Sequence, residues 1–151
     1  MARMFLAIVA GLMGVAQPLP DVLRGHVNSE RFEIVTSVRG LPLGVRDALQ
    51  ELFGGVSLDI AEPGAPFQIT DVVFDRRLPT RRLVASGCSR DHCLVYYERG
   101  GIAHSFHVAL FHWTPAATKF ESGGIAPGGL KSVDRVRAAV LSGSIKPAST
   151  W

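Results

Sequence analysis

Apolar and polar side chains alternate between residues 31 and 38, a period of two that is typical of a half-buried β-strand. The spacing then becomes helical over residues 42–53, where Pro42 suits the first turn and Gly54 suits the left-handed residue that ends a helix. One apolar stripe runs along this predicted helix, formed by Val45, Ala48, Leu49, Leu52 and Phe53.

Strand-like runs dominate the rest of the chain. The segment PFQITDVVF, residues 66–74, predicts a second strand, and a last helix is expected from its N-cap Ser132 to about Leu141. Between them lie three longer strand-like runs and one short candidate, at residues 82–88, 93–99, 105–113 and 118–122. We therefore predict an α+β fold, with a single antiparallel sheet of five or six strands and two packed helices.

Residues 1–16 have the features of a secretory signal peptide. Arg3 precedes an apolar run of 12 residues, 4–15, which is too short to span a bilayer. Gly14 and Ala16 provide the small side chains that a signal-peptide cleavage site needs. A buried N-terminal helix is the alternative. If the segment is a signal peptide, the protein is periplasmic or secreted, and no stable membrane insertion is expected after cleavage.

No repeat or linker divides the rest of the chain into two domains. Residues 17–30 contain two prolines and no clear period, which predicts a loose lead-in. Residues 31–142 are predicted to form a single α+β domain. Residues 143–151 lack periodicity and are predicted to be a mobile tail.

Composition mainly excludes classes of partner. Charged residues make up 19% of the chain and the formal net charge is only +3 at pH 7. A nucleic-acid-binding protein normally carries a denser basic stripe, so we expect no nucleic-acid partner. Four arginines, at positions 76, 77, 81 and 82, surround one predicted loop, and we interpret them as solvated rather than as an anion site.

The spacing of the two cysteines predicts a disulfide. If Gly100 and Gly101 form a two-residue hairpin turn, Arg99 faces Ile102 and the strands on either side pair outward from there. The segment SRDH then makes a four-residue loop that places Cys88 opposite Cys93, and in an exported protein such a pair is expected to be bonded. A redox-active pair is the alternative, although the C-x-x-C spacing is absent.

Four of the five histidines lie in the stretch GCSRDHCLVYYERGGIAHSFHVALFHW, residues 87–113. His104 and His107 are three residues apart and point to opposite faces of one strand. His104 and His112 share a face but are separated by about 26 Å of extended chain. No three imidazoles converge in this arrangement, so the sequence predicts no metal site. It contains no signature of a cofactor site or a catalytic nucleophile either.

One face of the predicted sheet is a candidate partner-binding surface. Two helices are available to cover two apolar faces, and the second helix is the less apolar of them. We therefore expect incomplete cover, which would leave an exposed aromatic patch of the kind that marks a contact site. The alternative is that the second helix buries the patch as ordinary core. The predicted surface consists of Tyr96, His107, Phe111 and Trp113.

Several segments resemble a group of small exported bacterial proteins of unassigned function. They are LPLGVRDAL, EPGAPFQITDVVF, LPTRRLVASG and YYERGGIAHSFHVALF, and the similarity covers about residues 41–141. The resemblance implies one intact domain and a location in the cell envelope. It carries no catalytic or binding residue to this chain.

Two functional hypotheses follow. The leading one is an exported small binding or accessory protein of the bacterial envelope, such as an inhibitor or a sensor, whose partner is an unknown envelope protein or ligand. The alternative is a small hydrolase with His104 or His107 as general base. An ordered pocket that holds either histidine within about 3 Å of Glu98 or of an aspartate would favour the hydrolase.

Overall fold

The computed structural model describes residues 18–72 and 75–151, so the predicted signal peptide lies outside the described residues. Five strands form one antiparallel sheet in which each strand pairs with its neighbour in sequence. The strands are β1 (Glu33–Val35), β2 (Arg81–Cys88), β3 (His92–Arg99), β4 (Ser105–Trp113) and β5 (Thr118–Ala126). The helices are α1 (Asp21–Ser29), α2 (Leu43–Phe53) and α3 (Val133–Leu141). The predicted α+β fold with a single antiparallel sheet is confirmed.

Helices cover both faces of the sheet. On one face, Val45 and Leu49 of α2 pack against Val95 and Tyr97 of β3. On the other face, α1 and α3 contribute Leu23, Val27, Val136 and Val140, which pack against Leu94 and Tyr96 of the same strand together with Val108 and Leu110 of β4. The central strand is therefore buried on both sides, which explains its nearly continuous apolar sequence. Within the described ranges, no helix is both long and apolar enough to cross a membrane.

The segment 17–30, predicted to be a loose lead-in, contains helix α1. Its apolar stripe consists of only two buried residues, Leu23 and Val27, which is too short a pattern to reveal a helical period. Pro20 precedes the first turn with φ −53° and does not interrupt the helix. The described chain therefore has three helices packed on the sheet, one more than predicted.

The segment 66–74 is not a strand in its described part, and residues 73 and 74 lie outside the description. Residues 67–72 form an irregular segment held by two backbone hydrogen bonds, from Gln68 N–H to Pro79 O before β2 (2.7 Å) and from Gly101 N–H after β3 to Ile69 O (3.0 Å). Ile69 and Val72 are exposed rather than buried. An apolar run therefore does not form a strand here.

The pairing of β2 with β3 places Cys88 opposite Cys93, as predicted, and the two form a disulfide. The pairing of β3 with β4 differs from the prediction, because Arg99 pairs with Ser105 rather than with Ile102. The connecting loop is longer than a two-residue turn, and the odd shift of three residues turns every side chain of β4 to the other face. Gly100 is needed not for a tight turn but because the backbone of Gln68 lies against it. A Cβ at position 100 would lie 1.7 Å from Gln68 O.

Residues 143–151, predicted to be a mobile tail, pack against the edge strand β5. The backbone of Lys146 exchanges two hydrogen bonds with that of Ile125, at 2.8 and 2.9 Å. The indole of Trp151 lies edge-on against Phe120, with the ring centroids 5.2 Å apart. Two glycines of β5, Gly123 and Gly124, let the tail approach this closely.

We expect Gly124→Ala to lower the free energy of unfolding by about 1–3 kcal/mol, because overpacking forces the backbone to shift. A Cβ at this position would lie 2.0 Å from the carbonyl oxygen of Lys146. Urea denaturation measures the change. Gly25→Ala is the matched control, since nothing lies within 4 Å of a Cβ at that helical position. The control should raise stability by roughly 0.5–1 kcal/mol. An unchanged stability of Gly124→Ala would contradict the close packing of the tail.

Candidate metal centre

The C-terminal end of α1 brings a histidine and a carboxylate together. His26 and Glu30 are four residues apart, so they lie on the same side of the helix, one turn from each other. The Nδ1 atom of His26 is 2.8 Å from Oε1 of Glu30. The helix ends at Ser29, and Glu30 is the residue that caps it, with its N–H bonded to the carbonyl oxygen of His26.

The corner between β2 and β3 supplies a second histidine to the same carboxylate. His92 begins β3, is 3% exposed, and places Nδ1 at 2.9 Å from both oxygens of Glu30. Ser89 holds this corner, because its hydroxyl accepts a hydrogen bond from the N–H of His92 at 2.9 Å. The same hydroxyl donates to Glu30. The carboxylate is thus the common partner of two imidazoles and one hydroxyl.

The surroundings of Glu30 favour its ionised form. Burial by itself would raise the pKa of the carboxyl group, but hydrogen bonds from Ser89, His92 and His26 outweigh burial and lower the pKa. The carboxylate is therefore negatively charged at neutral pH. A single negative charge between two imidazoles is an electrostatic environment that attracts a cation.

The three side chains offer a metal ion one ligand atom each, and these atoms all lie within 4.8 Å of one another. A tetrahedral zinc ion bonds nitrogen and oxygen at about 2.0–2.2 Å, which places its ligand atoms about 3.3 Å apart. The distances of 2.8 and 2.9 Å between the imidazoles and Glu30 would have to widen by a few tenths of an ångström, and the two imidazole nitrogens, which lie within 4.8 Å of each other, would have to take up the same spacing. His26 is exposed and His92 is buried, so an ion can enter from the solvent on the His26 side.

The prediction of no metal site considers only the histidines of the strands, because His26 falls in the segment 17–30 that the sequence predicts to be a loose lead-in. Helix α1 changes the basis of this prediction, because it brings His26 and Glu30 to His92, 62 residues away from Glu30 in sequence. The signal that could have revealed the site is the spacing H-x-x-x-E in HVNSE, residues 26–30. That spacing aligns two ligands only if the segment is helical.

A further histidine lies behind the cluster. His112 of β4 is directly opposite His92 in the strand register, and the two ring centroids are 5.3 Å apart in an edge-on arrangement. The centroids of His26 and His92 are 5.0 Å apart. Three of the five histidines of the chain therefore stand side by side at this end of the sheet.

The predicted partner-binding surface is not formed. Tyr96, His107 and Phe111 are each at most 1% exposed, and Tyr96 lies on the opposite face of the sheet from the other two. The shifted register of β4 is the reason for this separation. Trp113 is half-buried and lines a cavity of about 420 Å³ beside α2. Tyr96, His107 and Phe111 are all core residues, but only Tyr96 lies on the face that α3, the second predicted helix, covers, whereas Phe111 packs on the α2 face.

The two histidines considered as general bases have different surroundings. The Nε2 atom of His104 is 2.9 Å from Oε2 of Glu98, and the same carboxylate forms an ion pair with Arg82 at 2.6 Å. His107 has Nε2 at 2.9 Å from the hydroxyl of Ser105, whereas its buried Nδ1 has no partner among the described residues. Burial, with a smaller contribution from Arg99 and Arg81, lowers the pKa of His107 to about 4.

The lowered pKa of His107 predicts how stability depends on pH. Because the unfolded chain binds a proton at His107 more readily than the folded chain, stability should fall as the pH drops from about 6.5. The fall in stability continues to about pH 4, where His107 of the folded protein also takes up a proton. This group contributes at most about 1.4 kcal/mol per pH unit within that window.

Urea denaturation at pH 7 and pH 5 measures the effect. His107→Phe keeps a ring next to Tyr97 but cannot take up a proton, so its stability should change less between the two pH values. Equal changes in both proteins would show that His107 is not the group responsible.

Comparison with known protein families, with curated proteins and with solved structures finds no match to this chain. The resemblance to small exported bacterial proteins therefore stays a prediction. The clearest chemical feature of the described chain is the cluster of His26, Glu30 and His92.

Proposed function

We propose that this chain is an exported small binding or accessory protein of the bacterial envelope, and that its ligand is a divalent transition-metal ion. The observation that carries this proposal is the convergence of His26, Glu30 and His92, with ligand atoms within 4.8 Å of one another. Two imidazole nitrogens and one carboxylate oxygen are a ligand set found in zinc proteins, which leave the fourth position to water or to a substrate.

The chemistry of the ligands favours some ions over others. Imidazole nitrogens suit zinc, copper and nickel, whereas magnesium and calcium prefer sites built entirely of oxygen ligands. Zinc accepts a tetrahedral arrangement without the constraints of a partly filled d shell. We therefore take Zn²⁺ as the ion to test first, with Ni²⁺ and Co²⁺ as ions of the same ligand preference.

The location of the cluster also supports binding. His92 is held rigidly by the β2–β3 corner, while 49% of the His26 side chain is exposed to solvent. One fixed ligand and one accessible ligand allow an ion to enter without unfolding the protein. The hydrogen bonds to Glu30 satisfy the carboxylate when no ion is present, so the ligands stay close to their binding geometry.

The envelope location rests on the predicted signal peptide and on the disulfide. Disulfides such as Cys88–Cys93 persist mainly in oxidising compartments outside the cytosol. An exported binding protein agrees with both features.

We expect the protein recovered from the periplasm of a secretory host to bind Zn²⁺ with a stoichiometry of one. Its intact mass should correspond to a chain that begins at Gln17.

Isothermal titration calorimetry should show that His26→Ala, Glu30→Gln and His92→Ala each weaken binding. Loss of a residue that merely supports a ligand costs about 10–100-fold in affinity, so loss of a ligand should cost roughly 100-fold or more.

His104→Ala is the matched control, because His104 is paired with a different carboxylate, Glu98. This variant should bind zinc as tightly as the wild type. Glu30→Gln is the most informative substitution, since it keeps the shape of the side chain and removes the charge. If all three site variants bind zinc as the wild type does, the proposed site is wrong.

A hydrolase with His104 as general base is the second candidate, and the observation that favours it is the 2.9 Å contact with Glu98. Two features weaken it. Arg82 already shares the carboxylate of Glu98, and His104 lines neither of the two described cavities. An ester substrate with a coloured leaving group tests it: hydrolysis that is lost in His104→Ala and kept in His92→Ala would favour the hydrolase over the metal-binding protein.

A further inference from the structure

The disulfide and the metal cluster share one loop of the chain. Cys88 ends β2 and Cys93 is the second residue of β3, so the bond closes the loop that contains Ser89 and His92. Both of these residues contact Glu30. The contacts of Glu30 with the β2–β3 corner therefore depend on the shape of this closed loop.

We propose that the Cys88–Cys93 disulfide controls the affinity of the metal cluster, so that reduction of the bond by a small thiol weakens the binding of Zn²⁺. This inference rests on the proposed function. The disulfide then acts as a switch: the protein retains the zinc ion under oxidising conditions and releases it under reducing conditions.

The alternation of side chains along β3 explains how the bond acts on the site. Cys93 points to the core face covered by α2, where it is completely buried, and the adjacent His92 points to the opposite face, towards α1. Because the two residues are neighbours, fixing the backbone at Cys93 also fixes the direction of the His92 side chain. The disulfide thus acts on the proposed ligand His92 through the backbone, without contacting the ion.

Hydrogen bonds alone would hold the corner after reduction. The carbonyl oxygen of His92 accepts a bond from Ser89 N–H at 2.7 Å, and His92 N–H donates to the Ser89 hydroxyl at 2.9 Å. These bonds, a bond from Trp113 N–H to Asp91 O (2.8 Å) and the pairing of β3 with its neighbours restrain the loop less than a covalent bond does. The reduced loop samples more conformations, and binding an ion must then order it again. The affinity of the reduced protein is lower for that reason.

Reduction can begin at Cys88, which is half-buried, whereas Cys93 is fully buried. A small thiolate attacks the sulfur of Cys88, forms a mixed disulfide and displaces Cys93 as a thiolate, which takes up a proton. A second thiolate attacks the mixed disulfide and frees Cys88, which is protonated in turn. Two small thiols are thus oxidised to a disulfide, and their two electrons reduce the Cys88–Cys93 bond to two thiols.

The coupling must be reciprocal, because it is a difference in binding free energy between two states of the protein. If the oxidised form binds zinc more tightly by some factor, saturating zinc makes the disulfide harder to reduce by the same factor. The relation allows the proposal to be tested on the wild-type protein as well as on a variant.

The first experiment compares zinc binding by the oxidised wild type and by Cys88→Ser/Cys93→Ser, in titrations against a chromophoric chelator. We expect the variant to bind about tenfold more weakly, which corresponds to a free-energy difference of about 1.4 kcal/mol. Serine is used because it cannot replace a thiolate as a zinc ligand. Circular dichroism without zinc checks that the variant is folded.

The second experiment needs no cysteine variant. The wild type is equilibrated in glutathione buffers with free Zn²⁺ fixed by a metal buffer, and the oxidised fraction is measured after the free thiols are trapped. Zinc should shift the ratio [GSH]²/[GSSG] at the midpoint about tenfold towards more reducing conditions. His92→Ala is the control, and its midpoint should not depend on zinc.

Equal affinities of the oxidised wild type and the serine variant, together with a midpoint that zinc does not shift, would overturn the coupling and leave the metal site intact. Tighter zinc binding by the reduced protein would also overturn it, because the freed thiolates would then act as ligands themselves. Failure of the oxidised wild type to bind zinc would overturn both this inference and the proposed function.

Discussion

Burial of β3 on both of its faces is the constraint on which the other elements depend. Val95 and Tyr97 face α2, while Leu94 and Tyr96 face α1 and α3, and all four side chains are almost inaccessible to solvent. A strand with apolar side chains on both faces needs a covering layer on each face. Helix α2 covers one face, and helices α1 and α3 cover the other. Without α1, part of this second face would be exposed to water, which explains why a short helix with only two buried residues persists.

The same constraint brings α1 to the β2–β3 corner. Val27 is completely buried against the sheet, and the next turn of the helix carries Glu30 to Ser89 and His92. Packing of apolar groups thus determines where the carboxylate lies, and the hydrogen bonds to Glu30 determine its charge. The candidate metal centre is a consequence of how α1 is packed, since only this packing brings His26 and Glu30, which are local to one another, to His92 of β3.

The α2 face of the sheet has a different polar character. Arg81 is 7% exposed and forms an ion pair with Asp59 at 2.7 Å, yet burial lowers the pKa of its guanidinium. The hydroxyl of Tyr97 and the Nδ1 atom of His107 are buried there without a partner among the described residues, and burial raises the pKa of Tyr97. Unpaired buried groups cost stability. The unpaired groups therefore lower the stability that this face contributes, whereas the polar groups around Glu30 on the other face are paired.

The sequence by itself determined the features that depend on neighbouring residues. These are the α2 helix with Gly54 at its left-handed end, the α3 helix with Ser132 as its cap, the Cys88–Cys93 bond and the α+β class. Only the tertiary structure decided the register of β3 with β4, because both strands are apolar on two faces and alternation cannot distinguish one pairing from another. It also decided the formation of α1 and the meeting of His26, Glu30 and His92. Contacts between residues about 60 positions apart are set by the packing of whole elements, and no local pattern contains that information.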